Sequence, residues 1–172
     1  MATETTKTDF QILEEKISKI HFAMLVTADQ DGSLRSRPMG TQKFDGEHVF
    51  EGNLYFFTKE HSAKSEEIQH DQSVNLAYAD PSSNTYVSVT GTAQISKDKA
   101  MIKELWNPAL KAWFPDGVDD PEIALIVVDV KSAQYWDAPN GKLVQLAGFA
   151  KAVLTGKEMK HDQNSKKLNL QH

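Results

Sequence analysis

The 172-residue chain contains no cysteine, which removes disulfides, thiolate metal centres and thiol nucleophiles together. Any redox chemistry then has to be carried by a bound cofactor. Long apolar runs are missing too: nothing approaches the ~20 residues of a membrane helix. Positive charge is in deficit, with 19 Lys+Arg against 24 Asp+Glu, a net charge of −5 and a pI near 5.7. A nucleic-acid binder would carry the opposite balance. There is no Walker or dinucleotide glycine fingerprint and no Gly-x-Ser-x-Gly elbow. The six histidines, at 21, 48, 61, 70, 161 and 172, include no pair at the i, i+4 spacing of a helical zinc site. The acidic loop holding Asp116, Asp119, Asp120 and Glu122 lacks the alternating ligand spacing of a calcium loop and reads as a solvated turn on Pro115-Asp116-Gly117. The opening "MATETTKTDF" lacks the basic-then-apolar pattern of a secretory signal, so the expectation is a cytoplasmic protein.

What is present reads as one globular domain. The 40% hydrophobic and 25% charged content is ordinary, and no repeat or low-complexity linker divides the chain. We expect a single domain over residues 1–156 and a polar, mobile tail over 157–172. Thr8-Asp9-Phe10-Gln11 has capping-box spacing, and Phe10, Leu13, Ile17 and Ile20 follow on one helical face. Strand-like segments come next: 22–28, leading through the turn "DQDGS" into 34–39, then 53–58 after a turn at Asp45-Gly46, and 73–80 after a short helical insert over 62–70. Residues 85–95 alternate, with Val87, Val89, Ala93 and Ile95 on one face. A helix from about Lys97 to Trp106 precedes the long strand 123–137, and 146–156 has the look of a small helix. Six strands joined in sequence by short turns predict antiparallel pairing in a closed or partly closed barrel, mainly β with short peripheral helices.

Three places carry candidate chemistry. In "GSLRSRPM", period 2 puts Arg35 and Arg37 on one face and Ser36 on the other, before Pro38 and Met39. An exposed edge strand would explain proline and charge together. Two guanidinium forks facing an anionic, planar ligand are the sharper alternative, which this stretch alone does not favour. In "FFTKEHSAKSEEI", a strand ends at Thr58 and a helix opens near Ser62, a natural N-cap, with Lys64 in the first turn. A lysine there disfavours the helix dipole unless an anion sits beside it, so a phosphate cradle competes with a plain capped surface helix. Trp136, at the end of the long strand, reads either as a core lid or as an aromatic wall for a flat ring supplied across an interface.

Taken in order, "FAMLVTADQDGSLRSRPM", "LYFFTKEHSAKSEEI", "VNLAYADPSSNTYVSVTGTAQI" and "VDVKSAQYWD" resemble the flavin-binding split-barrel family related to pyridoxamine 5′-phosphate oxidase, and within it the bacterial general stress protein branch. The resemblance spans most of Phe10 to Asp137. It implies a six-stranded antiparallel split β-barrel that forms a homodimer, with flavin mononucleotide (FMN) rather than FAD in clefts at the interface. It implies that Arg35, Ser36, Arg37, Pro38 and Met39 line the isoalloxazine and reach toward the phosphate. Phe57 and Thr58 would lie beside the ribityl-phosphate, and Ser62 and Lys64 on the phosphate-binding turn, where Ala63 replaces an arginine of the oxidase. Trp136 would approach the partner's flavin, and Pro38 would end ladder pairing. The oxidase's Arg-Leu-His-Asp-Arg type run has no counterpart after "YWD", which argues against pyridoxamine phosphate oxidation. The expectation is therefore a flavin-dependent oxidoreductase of unidentified substrate, served by NAD(P)H or a small molecule. The alternatives are a flavin-storage module without turnover and a haem-binding barrel in which His61 would be the axial ligand.

Overall fold

A computed structural model describes residues 7–43, 50–137 and 165–170. Helix α1 (Asp9–Ile17) starts at Thr8, whose hydroxyl accepts from Gln11 N while the Gln11 side chain accepts from Thr8 N, the expected capping box. Its buried face is Leu13 and Ile17, and Phe10 meets Phe50 edge-on at 5.9 Å between ring centroids. Strands β1 (Phe22–Ala28) and β2 (Leu34–Gly40) form the hairpin expected from "DQDGS". Gly32 takes φ +79° in that turn, and the Asp31 carboxylate accepts from Ser33 N at 2.9 Å.

The chain continues through β3 (Asn53–Lys59), α2 (Ala63–His70), β4 (Ser73–Asp80), β5 (Thr85–Ser96) and α3 (Lys99–Leu105). Two short 3-10 turns lead to β6 (Ile123–Asp137), and β7 (Ser165–Asn169) comes last. Pairing is antiparallel throughout, in the order β2-β1-β4-β5-β6-β3, with β7 also on β6. A bridge between Gln42 and Tyr55 ties the end of β2 back to β3 and partly closes the sheet. The result is the mainly β, antiparallel architecture expected, with seven strands among the described residues in place of six.

Two expectations are corrected. Pro38 does not end the ladder: it pairs opposite Met24, and β2 runs on to Gly40. β2 is the terminal strand of the order, where alternate N–H groups face away from its one partner and a missing donor costs little. The polar tail expected over 157–172 carries β7, whose Leu168 is buried together with the following Leu170. Two apolar residues among lysines are too short a pattern to read as a strand, yet they suffice for an edge strand with charge on its outer side. The turn expected at Asp45-Gly46 and the helix expected over 146–156 lie outside the described residues.

One core fills the barrel, built on Leu25, Phe56, Leu76, Val89, Ile126 and Leu170 among others. A second packs α3 and the 3-10 turns onto the outer side of β3 and β6 through Phe57, Ile102, Leu105, Phe114 and Leu125. Burial on both sides explains why residues 123–126 are continuously buried rather than alternating. Among the described residues no helix is long and apolar enough to cross a membrane.

Between Thr90 and Gly91 the register of β5 against β6 slips by one residue. A Cβ on Gly91 would lie 2.4 Å from Asp129 O and 3.0 Å from Val128 Cγ1. Gly91→Ala should therefore destabilise the fold by about 1–3 kcal/mol in urea unfolding. Gly40→Ala, whose Cβ would meet nothing nearer than Gln42 Nε2 at 3.6 Å, should stay within about 0.5 kcal/mol of the parent. Equal effects would show that the close approach at Gly91 is not what holds β5 to β6.

Candidate functional site

The junction of β3 and α2 gathers hydroxyls. Ser62 occupies the N-cap position with extended backbone (φ −126°, ψ 154°), but its side chain does not cap the helix. Its hydroxyl instead lies 2.8 Å from Ser65 Oγ and 3.3 Å from Thr58 Oγ1. Ser65 Oγ donates onward to Lys59 O at 2.8 Å. Ser65 N and Glu66 N donate to Ser62 O at 2.9 and 3.0 Å, whereas the amides of Ala63 and Lys64 have no acceptor among the described residues. The first turn of α2 thus presents free N–H groups with their partial positive charge.

Side-chain charge adds to this. Glu67, one turn along α2, is buried and bonds Arg37 Nη2 at 2.5 Å. Arg37 Nη1 donates to Thr27 Oγ1, and Thr27 Oγ1 donates to the same Glu67 oxygen. The one buried carboxylate among the described residues is therefore matched to the guanidinium. Lys64 is half-buried and forms no ion pair among the described residues. Burial pushes the Lys64 ammonium below the usual lysine range and the Arg37 charge adds to that, with Glu67 offsetting part of it. Arg37, Glu67 and Lys64 together leave one net positive charge beside free amides and hydroxyls, an arrangement that fits a phosphate group.

The other expected residues lie apart from this junction. Arg35 and Arg37 share a strand face, opposite Thr27 and Leu25. Their guanidinium groups nevertheless diverge, because Arg35 is exposed and held by Asp29 at 3.2 Å. Ser36 and Pro38 are exposed on the opposite face of β2, and Met39 is in the core. Phe57 is buried in the second core between Trp106 and Phe114, with centroids at 6.1 and 6.2 Å. Trp136 is half-buried near the end of β6, opposite Tyr86 and Ser165. His61 is largely exposed and sits 3.1 Å from Glu122, whose carboxyl it holds below the usual range. Among the described residues no group of histidines and carboxylates is placed to hold a metal.

Sequence reasoning missed Thr27, Ser65 and Glu67. Each left a signal: Thr27 is a polar residue in the inward series Ala23, Leu25, Thr27. Ser65 and Glu67 follow Ser62 and Lys64 by three residues, on adjacent turns. A further feature is the sheet face carrying Phe22 (66% exposed), Met24, Leu34 (73% exposed) and Tyr86, an apolar surface on β1, β2 and β5.

The Pyridoxamine 5′-phosphate oxidase like family matches this chain over residues 8–160. Protein bli-3 of Neurospora crassa is 30% identical over 145 residues, covering 79% of this chain and 68% of that protein. The general stress FMN/FAD binding protein of Xanthomonas citri is 28% identical, with a TM-score of 0.64, covering 76% of this chain and 89% of its own. The General Stress Protein 26 of Bacillus anthracis str. Sterne is 27% identical, with a TM-score of 0.59, covering 72% and 92%. A structure from Jannaschia sp. CCS1 covers 94% and 96% at a TM-score of 0.68 and 22% identity, a likeness of fold alone.

Glu67→Ala leaves Arg37 and Thr27 without their common acceptor, and should cost about 2–4 kcal/mol in denaturant unfolding. A loss under about 0.5 kcal/mol would mean that the pair is not formed in solution.

Proposed function

Since the chain belongs to the Pyridoxamine 5′-phosphate oxidase like family, we propose that it is a cytoplasmic, homodimeric flavoprotein that binds FMN, with FAD the less favoured form, and reduces a small molecule through the flavin with electrons from NAD(P)H or from a second small molecule. The carrying observation is Lys64, a half-buried cation with no ion pair among the described residues, set beside free helix amides and the hydroxyls of Thr58, Ser62 and Ser65. A terminal phosphomonoester, close to a dianion at neutral pH, satisfies all of these groups at once. In this reading Lys64, the first-turn amides and the Ser62 hydroxyl hold the phosphate. Arg37, aligned by Glu67 and Thr27, adds positive potential from behind. Flavin, when bound, supplies hydride or electron transfer. The likeness to the FMN/FAD binding protein of Xanthomonas citri supports the cofactor class.

The exposed apolar face of β1, β2 and β5 supports dimerisation, because burying Phe22, Leu34 and Tyr86 against a second copy removes a surface a monomer seldom leaves open. Ser36 and Pro38 lie on this face, so their expected place beside the flavin depends on the same dimer. Leu34→Glu should convert a dimer to a monomer in sedimentation velocity, and an unchanged dimer would put the interface elsewhere.

Absorbance of the purified protein with added FMN, followed by anaerobic NADPH, tests the reading directly. Flavin bands that co-elute with the protein and bleach on NADPH support an oxidoreductase. Bands that stay oxidised fit a flavin carrier, and a protein that ignores FMN refutes both. Lys64→Met should weaken FMN by ~1.5–3 kcal/mol, roughly ten- to hundredfold. Because the folded pKa of Lys64 is lowered, the unfolded chain holds that proton more tightly, and the charged lysine opposes folding at any pH below its folded pKa. The same variant should therefore melt slightly higher without ligand, by no more than about 2 °C, since a half-exposed amine keeps much of its hydration. A variant that loses both affinity and melting temperature would mark Lys64 as structural.

A further inference from the structure

A cavity of about 430 Å³ lies between α1, the start of β3 and α3, and it takes no part in the flavin reading above. Its size is that of a small-molecule pocket. The floor is apolar, made by Ile17, Leu54 and Met101. Two aromatic side chains, Phe50 and Tyr55, also line it. Phe50 is steadied by its edge contact with Phe10, and Tyr55 by the bridge between its backbone and Gln42.

The charge around the rim is one-sided. Glu14 of α1, Glu51 before β3 and Glu104 of α3 all line the cavity, from three elements. Glu14 and Glu51 form no ion pair among the described residues. The one cation among the described residues that line the cavity, Lys43, donates to the Ser18 carbonyl at the end of α1. We propose that this cavity binds a small organic cation, a protonated amine on an aliphatic or aromatic body, with the ammonium between Glu14 and Glu51 and the body against Met101 and the two rings.

Three physical facts agree on that class of ligand. An apolar body removes the floor and the ring faces from water. Aromatic rings such as those of Tyr55 and Phe50 attract a cation through their π-faces and not an anion. The local potential is negative at the phenol: burial pushes the Tyr55 hydroxyl above its ordinary pKa, with Glu51 and Glu104 adding to the rise. An anionic flavin phosphate is excluded here by the same carboxylates that would attract an amine. The molecule would thus carry two sites of opposite charge preference, one at each end of β3: Lys64 beyond Thr58, and Glu51 before Asn53.

Methyl-labelled methionine gives a direct readout, because the chain has five methionines and only Met101 lines the cavity among the described residues. Full-length protein is titrated with n-hexylamine, hexanol and hexanoate while the methyl spectrum is recorded, with Met101→Leu supplying the assignment. Hexylammonium should shift the Met101 signal saturably and leave Met24 and Met39 in place. Hexanol should act weakly, and hexanoate not at all. E14Q/E51Q, two changes at positions that are not buried, should raise the hexylamine dissociation constant about tenfold while leaving the melting temperature unchanged. The proposal fails if the three probes shift Met101 alike, if none of them does, or if E14Q/E51Q binds hexylamine as tightly as the parent.

Discussion

Strand β6 hydrogen-bonds along both edges, to β5 on one side and to β3 and then β7 on the other. It is also covered on both faces over its first half, by the barrel core and by the α3 layer. This double burial is the constraint on which the remaining elements depend. β3 can point Phe56 into one core and Phe57 into the other only because β6 does the same with Ile126 and Leu125 beside them. The close passage of Gly91 over Asp129 and Val128 lets β5 follow β6 through its register slip without a gap. With β3 fixed in this way, the position of Thr58 and the start of α2 are fixed as well.

The electrostatics of the β3–α2 junction then follow from a mismatch in number. One buried carboxylate, Glu67, faces two cations, Arg37 and Lys64. Bidentate-capable arginine wins the carboxylate because its planar fork also reaches Thr27, whereas lysine would offer a single point charge. The residual positive charge disfavours the ligand-free fold slightly and is what an anion relieves. If Lys64 holds a phosphate as proposed, function and stability pull in opposite directions at this lysine, as they commonly do at binding sites.

β3 also links the two ends of the molecule. Thr58 belongs to the positive junction, while Tyr55, three residues earlier, walls the acid-rimmed cavity. Side-chain alternation along one rigid strand is enough to hold groups of opposite electrostatic preference apart without a second domain.

Much of the architecture is legible locally. The capping box at Thr8 and Gln11, the Asp-Gly hairpin turn, the alternation of β5 and the long apolar run of β6 each act within a few residues, and each appears where expected. The placement of Ser62 at the N-cap of α2 and of Lys64 in its first turn was legible for the same reason, since helix starts have their own chemistry. The acceptor of Arg37 was not legible, for it lies 30 residues away on another element. Nor was β7, whose Asn169 amide reaches Asp9 across 160 residues and whose two leucines have no meaning until a core exists to receive them. Turn chemistry and periodicity are short-range and belong to the sequence alone. Which carboxylate neutralises which cation, which edge a late strand completes and which lysine is left unpaired depend on groups brought together only when the sheet closes, and only the tertiary structure decided them.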